Sequence, residues 1–356
     1  MVGGAVVVLL ALPSLIGALP ASDAGTSAVD LRRAVLESAD VPFAGYAQSA
    51  GGLDLPVGDQ FTPVADLFSD RTTMRAWYRG PADWRVDVVR PTGEVGVHAD
   101  AGGTWTWSWE DAVATRTAPS PLALPTAPDL LPSTLGRRLL SEAGDAELSR
   151  VGADRIAGRD ALGLRVVPTD AASSVARVDV WVDSASGVPL RVQVFGEDGD
   201  DQAALDTGFL ELELTTPAAE VTAFDVPREA EVRDGQDAQL LQAADRASRR
   251  DRLALPGALA GLERRTVEGA PRSVGVYGRG VTLLAVSPLP GRAVTGLRQA
   301  LRSAPEAVVD DLGVRISAGP LGLMLVDGPQ GPVLLTGTVD LDALAAAATE
   351  IVAAGR

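Results

Sequence analysis

The chain of 356 residues contains no cysteine, no lysine and one histidine, His98. Without cysteine there are no disulfides, thiolate nucleophiles, cysteine-bound zinc sites or iron–sulfur clusters. Without lysine there is no Schiff-base chemistry and no phosphate-loop lysine. A lone imidazole cannot build a multi-histidine metal site, and a Ser-His-Asp triad would have to use it. The sequence has no G-x-S-x-G elbow, and glycine-rich pieces such as 275–280 lack the strand–G-x-G-x-x-G–helix setting that holds a dinucleotide. No cofactor, metal or catalytic residue is expected, and the chain reads as non-enzymatic.

What remains is globular: 46% hydrophobic and 22% charged residues, in a length suited to about two domains. Residues 253–356 are electrically balanced, so the whole net charge of −16 lies in residues 1–252. Such an acidic surface repels phosphate and argues against nucleic acid as a partner. All six tryptophans lie between Trp77 and Trp181, and Tyr277 is the one aromatic after Phe224. Charge and aromatic content thus shift together, which sets a domain boundary near 230–255. At the start, residues 2–19 are apolar and uncharged, followed by the small-residue run Pro20-Ala21-Ser22-Asp23-Ala24. This predicts export, with residues 1–27 as a cleaved signal peptide or a retained N-terminal membrane tether.

Ser27 or Asp30 can cap a helix over 30–39. Alternating segments at 72–79, 84–89, 94–98 and 104–110, separated by Gly/Pro turns, predict an antiparallel meander. Five prolines between Pro119 and Pro132 predict a loop or flap across the sheet, followed by a short helix to about Ala143. Strands resume at 147–157, 162–168, 175–183, 189–196 and 208–215. Residues 237–250 fit a polar connecting helix. Beyond them strands are expected at 263–268, 272–277, 281–286, 313–317, 321–326 and 332–336, with helices at 291–302 and 340–354.

Three features invite a chemical reading. His98 sits in an alternating strand with no evident nucleophile, so a structural role is expected. Glu197-Asp198-Gly199-Asp200-Asp201 departs from the EF-hand spacing and reads as a solvated hairpin tip. The third is Trp105, Trp107 and Trp109, which recur every second residue with Thr104, Thr106 and Ser108 between them. Period two sends indoles to one face and hydroxyls to the other. Three indoles present roughly 600 Å² of largely apolar surface. A helix, the proline-rich flap, a second domain or a ligand must cover it. About ten strands offer more apolar face than two or three short helices can cover, so the sheet should curl or admit a hydrophobic guest.

Arg177-Val178-Asp179-Val180-Trp181-Val182-Asp183, followed by Gly187-Val188-Pro189-Leu190-Arg191, resembles a signature of LolA-like proteins. Trp77-Tyr78-Arg79-Gly80-Pro81-Ala82-Asp83-Trp84-Arg85-Val86 is similar to that family's early hairpin, and Gly158-Arg159-Asp160-Ala161 to the strand before the signature. The resemblance covers about residues 28–227. The family includes lipoprotein carriers and the envelope-stress regulators RseB and MucB, whose architecture is the nearer of the two. It implies an α+β fold, a curved antiparallel half-barrel with a helical lid, followed by a smaller α+β domain. The expected division is 28–230 for the half-barrel, 231–255 for a connector helix and 256–356 for the small domain. The implied function is exported, non-enzymatic binding or sensing of lipid or an acylated ligand, with regulation through a membrane-bound anti-sigma factor. A lipoprotein or lipid carrier without a regulatory role, or a protein-interaction regulator with a vestigial cavity, are the alternatives. The side chains expected to line an apolar concave face are Tyr78, Trp84, Trp105, Trp107, Trp109 and Trp181.

Overall fold

The computed structural model describes residues 25–53, 62–69, 71–90, 93–120, 123–197, 202–235, 255–289, 291–328 and 331–355. Helix α1 (Ala28–Glu37) starts where Ser27 Oγ accepts the Asp30 N–H, and it buries Leu31 and Val35. Strand β1 (Phe43–Gly51) and helix α2 (Thr62–Ser69) follow. The meander then runs through β2 (Arg71–Gly80), β3 (Asp83–Arg90), β4 (Gly93–Asp100), β5 (Gly103–Ser108) and β6 (Val113–Thr117). The proline-rich crossing closes in a 3-10 turn (Ala127–Leu130) and leads into α3 (Pro132–Leu140), with Pro132 at its start, where the missing N–H costs nothing. Strands β7 (Leu148–Ile156), β8 (Arg159–Val166), β9 (Val175–Asp183), β10 (Pro189–Gly196) and β11 (Leu205–Glu213) complete the antiparallel set. A single helical turn, α4 (Ala219–Thr222), precedes β12 (Glu231–Asp234).

These strands form one open twelve-stranded sheet in the order β12-β6-β5-β4-β3-β2-β1-β11-β10-β9-β8-β7. Every pairing is antiparallel except that of β12 with β6. Strand β7 comes back into contact with β11 although three strands lie between them, so this wing curls strongly. Gly45 is required for packing here. A side chain at that position would meet the Phe209 ring at 2.9 Å.

After the two-residue pair β13 (Ala258–Leu259) and β14 (Leu262–Glu263) come β15 (Gly275–Arg279), β16 (Thr282–Pro288), β17 (Val308–Asp310), β18 (Gly313–Ala318), β19 (Leu321–Gly328) and β20 (Gly331–Gly337). These six form a C-terminal sheet in the order β15-β16-β20-β19-β18-β17. Helix α5 (Gly291–Ser303) packs Leu297 and Leu301 against Val314, Ile316 and Leu325 on one side. Helix α6 (Leu341–Ala354), capped by Asp340, packs Leu344, Ala347 and Ile351 against Met324 and Leu335 on the other. The strand expected at 263–268 shrinks to β14. Residues 231–234, expected at the head of a helical connector, instead add a strand to the large sheet. The helix expected at 237–250 and most of the acidic run at 197–201 lie outside the described residues.

The two sheets meet through a mixed apolar and ionic joint. Arg265 makes a two-pronged pair with Glu142, which also accepts the Gly280 N–H at 2.8 Å. Arg279 holds both oxygens of Glu147 at 2.9 and 3.0 Å. Ser174 Oγ donates to the Pro320 carbonyl, Ser173 bridges to Val339, and Val281 enters the cluster of Leu140, Leu162 and Val166. Burial alone raises the pKa of Glu147. Arg279, the Gly144 N–H and Thr169 outweigh that together and hold it at about 2. Replacing Glu147 by Gln is therefore expected to cost about 1–3 kcal/mol in urea unfolding at neutral pH. The folded value lies below the ordinary 4.5, so this contribution is complete above 4.5 and is lost as pH falls through about 2. The gap between wild type and variant should close over that window.

Candidate functional site

Cross-strand partners share a face, so the register of the large sheet assigns each expected site residue to a side. Tyr78 pairs with Trp84 and with Phe43. Met74 and Ala76 lie on the same face of β2, as do Val86 and Val88 on β3. This tyrosine face is the apolar floor. Phe43, Met74, Ala76, Tyr78, Val86 and Phe209 are buried in one cluster with Leu130 and Leu131 of the proline-rich crossing, and Leu135 of α3 packs against it. Tyr78 stacks on Phe43 with ring centres 5.1 Å apart and donates its hydroxyl to the Ala39 carbonyl at 2.6 Å. Trp84 is half-buried at the margin of the same cluster. The floor is shut by the protein's own side chains.

Trp105 and Trp107 face the other way. They pair with His98 and Gly96 on β4, beyond which lie Arg85 and Asp87 on β3 and Trp77 on β2. Trp181, on β9, packs half-buried against the same apolar cluster as Trp84. Its partners are Arg191 and Gly163, and its ring fills the space that a side chain at 163 would need. Trp109 has left the strand for the β5–β6 turn, where it is 60% exposed and meets Trp107 edge-on at 5.5 Å. The six aromatic residues expected on one concave face are therefore divided. Tyr78 and Trp84 share the floor, Trp105 and Trp107 share the opposite tryptophan face, Trp109 stands at the rim, and Trp181 sits four strands from Tyr78. The one-residue alternation that groups the indoles of β5 also sends its hydroxyls to the tyrosine face. There Thr106 and Ser108 border a shallow cavity of about 490 Å³ with Asp111, Val113, Thr115, Glu231 and Arg233.

The cover over the tryptophan face is the chain between β11 and β12, which includes the helical turn α4. Phe224 sets its ring 4.8 Å from His98, 5.8 Å from Trp105 and 6.5 Å from Trp107. Thr222 Oγ1 donates to Asp83 at 2.5 Å, and Arg79 donates to the Pro217 carbonyl. His98 is 6% exposed, and its Nδ1 lies 3.1 Å from the Thr222 carbonyl. A carbonyl only accepts, so Nδ1 carries the proton and Nε2 is bare. Burial pushes the imidazole pKa down and the Arg85 charge adds to this, while the Thr222 carbonyl and Asp87 pull the other way.

Arg137 is a residue that sequence patterning missed. It reaches from α3 across the Tyr78 ring, 5.6 Å from its centre, and its Nη1 is buried with no hydrogen-bond partner among the described residues. Its signal was weak: an arginine in a helix that carries a second one next to it. Among the described residues no group of carboxylates and imidazole is arranged to hold a metal ion.

The sequence model of the MucB/RseB N-terminal domain matches residues 122–252. Among solved structures, a chain from the complex of Pseudomonas aeruginosa MucA/MucB has the same fold, at 19% identity over 90% of this chain and 96% of that one, with a TM-score of 0.50. MucB in complex with MucA(peri) aligns at 18% identity over 90% and 97%, with a TM-score of 0.49. A LolA superfamily protein from Nitrosomonas europaea aligns at 10% identity over 56% and 99%, with a TM-score of 0.26. No curated protein sequence matches the chain.

Burial separates Trp107 from Trp109. Trp107→Ala, which empties a buried site under the Phe224 cover, should cost about 3–5 kcal/mol of unfolding free energy. Trp109→Ala at the exposed rim should stay within about 1 kcal/mol of wild type. Chemical denaturation of the two variants side by side checks this.

Proposed function

We propose that this chain, LolA-like in fold and of RseB/MucB type, is an exported, non-enzymatic regulator that works outside the cytoplasm. It grips the extracytoplasmic segment of a membrane-bound anti-sigma factor, and lipid or an acylated ligand alters the grip. The large sheet with its lid and the small sheet act as separate domains, divided within residues 231–255. One observation carries the reading: the resemblance to the MucB chain runs through both sheets, over 90% of this chain and 96% of that one.

The acyl-chain part of the reading makes a mechanical demand. Leu130 and Leu131 fill the tyrosine face, so a chain is admitted only when residues 127–131 and α3 lift. Arg137, on the same helix and with one nitrogen unpartnered among the described residues, would then be free to meet an anionic head group. The shut floor is also what a regulator with a vestigial cavity would have.

Titration of the purified full chain with the extracytoplasmic segment of an anti-sigma factor encoded in the same genome tests the proposal. A stoichiometric complex on size exclusion is the expected result, with lipid-sized mass retained in native mass spectrometry and affinity that changes when the lipid is stripped. A complex indifferent to lipid would select the vestigial cavity. Transfer of lipid between vesicles with no complex formed would select the carrier and overturn the regulator.

A further inference from the structure

The segment between β11 and β12 is a strap with few points of attachment. Of residues 214–230, Pro217 and Thr222 are buried and Phe224 is half-buried, while Thr215, Thr216, Ala218, Ala219, Glu220, Ala223, Asp225, Val226, Arg228 and Glu229 are exposed. Leu214 packs against the tyrosine-face cluster and Arg79 donates to the Pro217 carbonyl, and the other contacts concentrate on one spot of the tryptophan face: the Thr222 carbonyl on His98, the Thr222 hydroxyl on Asp83, and the Phe224 ring over His98 and Trp105. Two of those last three involve the only imidazole in the chain. We propose that residues 214–230 form an acid-released strap over Trp105 and Trp107, with His98 as the group whose protonation frees it.

The neutral ring donates from Nδ1, so acid adds its proton at Nε2 and charges a ring enclosed by Phe224 and Trp105. The charged groups around it come from each neighbouring strand. Arg85 on β3 is the direct cross-strand partner of His98 and disfavours a second positive charge. Asp87, also on β3, favours it. Asp87 Oδ1 and His98 Nε2 both border the space left by the absent side chain of Gly96, but the Asp87 carboxylate is already taken by Arg85 through Nε at 2.7 Å. Arg116 on β6 lies over the Trp105 ring, 4.9 Å from its centre. The strap itself offers the Thr222 carbonyl, while its Glu220 and Asp225 point to solvent. The released imidazole has its ordinary pKa and the docked one a lower value, so the released form binds the proton better. Docking is therefore fully favoured above about 6.5 and weakens as pH falls through the docked value. Release uncovers Trp105, Trp107 and Phe224 together, an aromatic surface available only in acid.

A single histidine makes the test unambiguous, because its proton resonance is the only imidazole signal in the spectrum. In the intact chain that resonance should titrate below about 6.5. Cleavage within 214–230 by a protease active across the range should rise about threefold or more between about pH 7.5 and 5, with a matching red shift of tryptophan emission. His98→Asn keeps a donor for the Thr222 carbonyl without a titrating group, and should lose the pH response while the strap stays docked. Phe224→Ala should release the strap at every pH and leave His98 titrating at its ordinary value. An imidazole that titrates at or above about 6.5 in the intact chain, or strap cleavage unchanged across the range, overturns the proposal.

Discussion

A sheet one strand thick has two faces, and in this protein both carry aromatic rings over the same strands, one among aliphatic side chains and the other among ion pairs. Alternation along β2 to β5 sends Met74, Tyr78, Trp84 and Val86 to one side and Trp77, His98, Trp105 and Trp107 to the other. Both sets include buried rings, Tyr78 on one side and Trp107 on the other, and the chain supplies a cover for each. The proline-rich crossing and α3 form the first, rich in leucine and held by packing. The strap after β11 forms the second, held by Phe224 and three polar contacts. Burial of apolar area scales with what each cover brings, at about 25 cal/mol per Å². Leu130 and Leu131 are buried while Phe224 is half-buried, so the first cover is the firmer of the two.

How far the sequence disclosed this depends on how each element announces itself. The meander was legible because β2 to β5 alternate and glycine or proline pairs punctuate them. The caps Ser27 and Asp340 marked α1 and α6. Strand β1 went unread. Phe43-Ala44-Gly45-Tyr46-Ala47-Gln48-Ser49-Ala50-Gly51 has small residues where a strand usually shows branched ones, since large neighbours such as Phe209 lie across it. Strand β12 was hidden as well, because an edge strand with a charged sequence has no apolar pattern to show. The aromatic site was mistaken for a subtler reason. Periodicity within a strand fixes which residues share a face, but the pairing between strands fixes which face that is. Tyr78 pairs with Trp84, and that offset sets Trp105 opposite His98 and away from both.

The joint between the sheets adds a different kind of order. Glu142 and Glu147 lie just after α3, the helix that closes the apolar floor, and they bind Arg265 and Arg279 of the small sheet. A displacement of α3 would therefore bear on the joint through a few residues of chain. That physical proximity links the proposed ligand-bearing side to the second sheet without any long relay.

Strand β12 has a consequence for the molecule among its neighbours. A wide open sheet invites other chains to add strands at its rim, the route by which such folds clump. Here the last position is taken by four residues, three of them charged, running parallel to β6 and holding an intramolecular Glu231–Arg233 pair. So short and hydrophilic a border makes a poor template. The chain that descends from the strap thus also keeps the sheet from growing, and detaching it would leave β6 open to strangers.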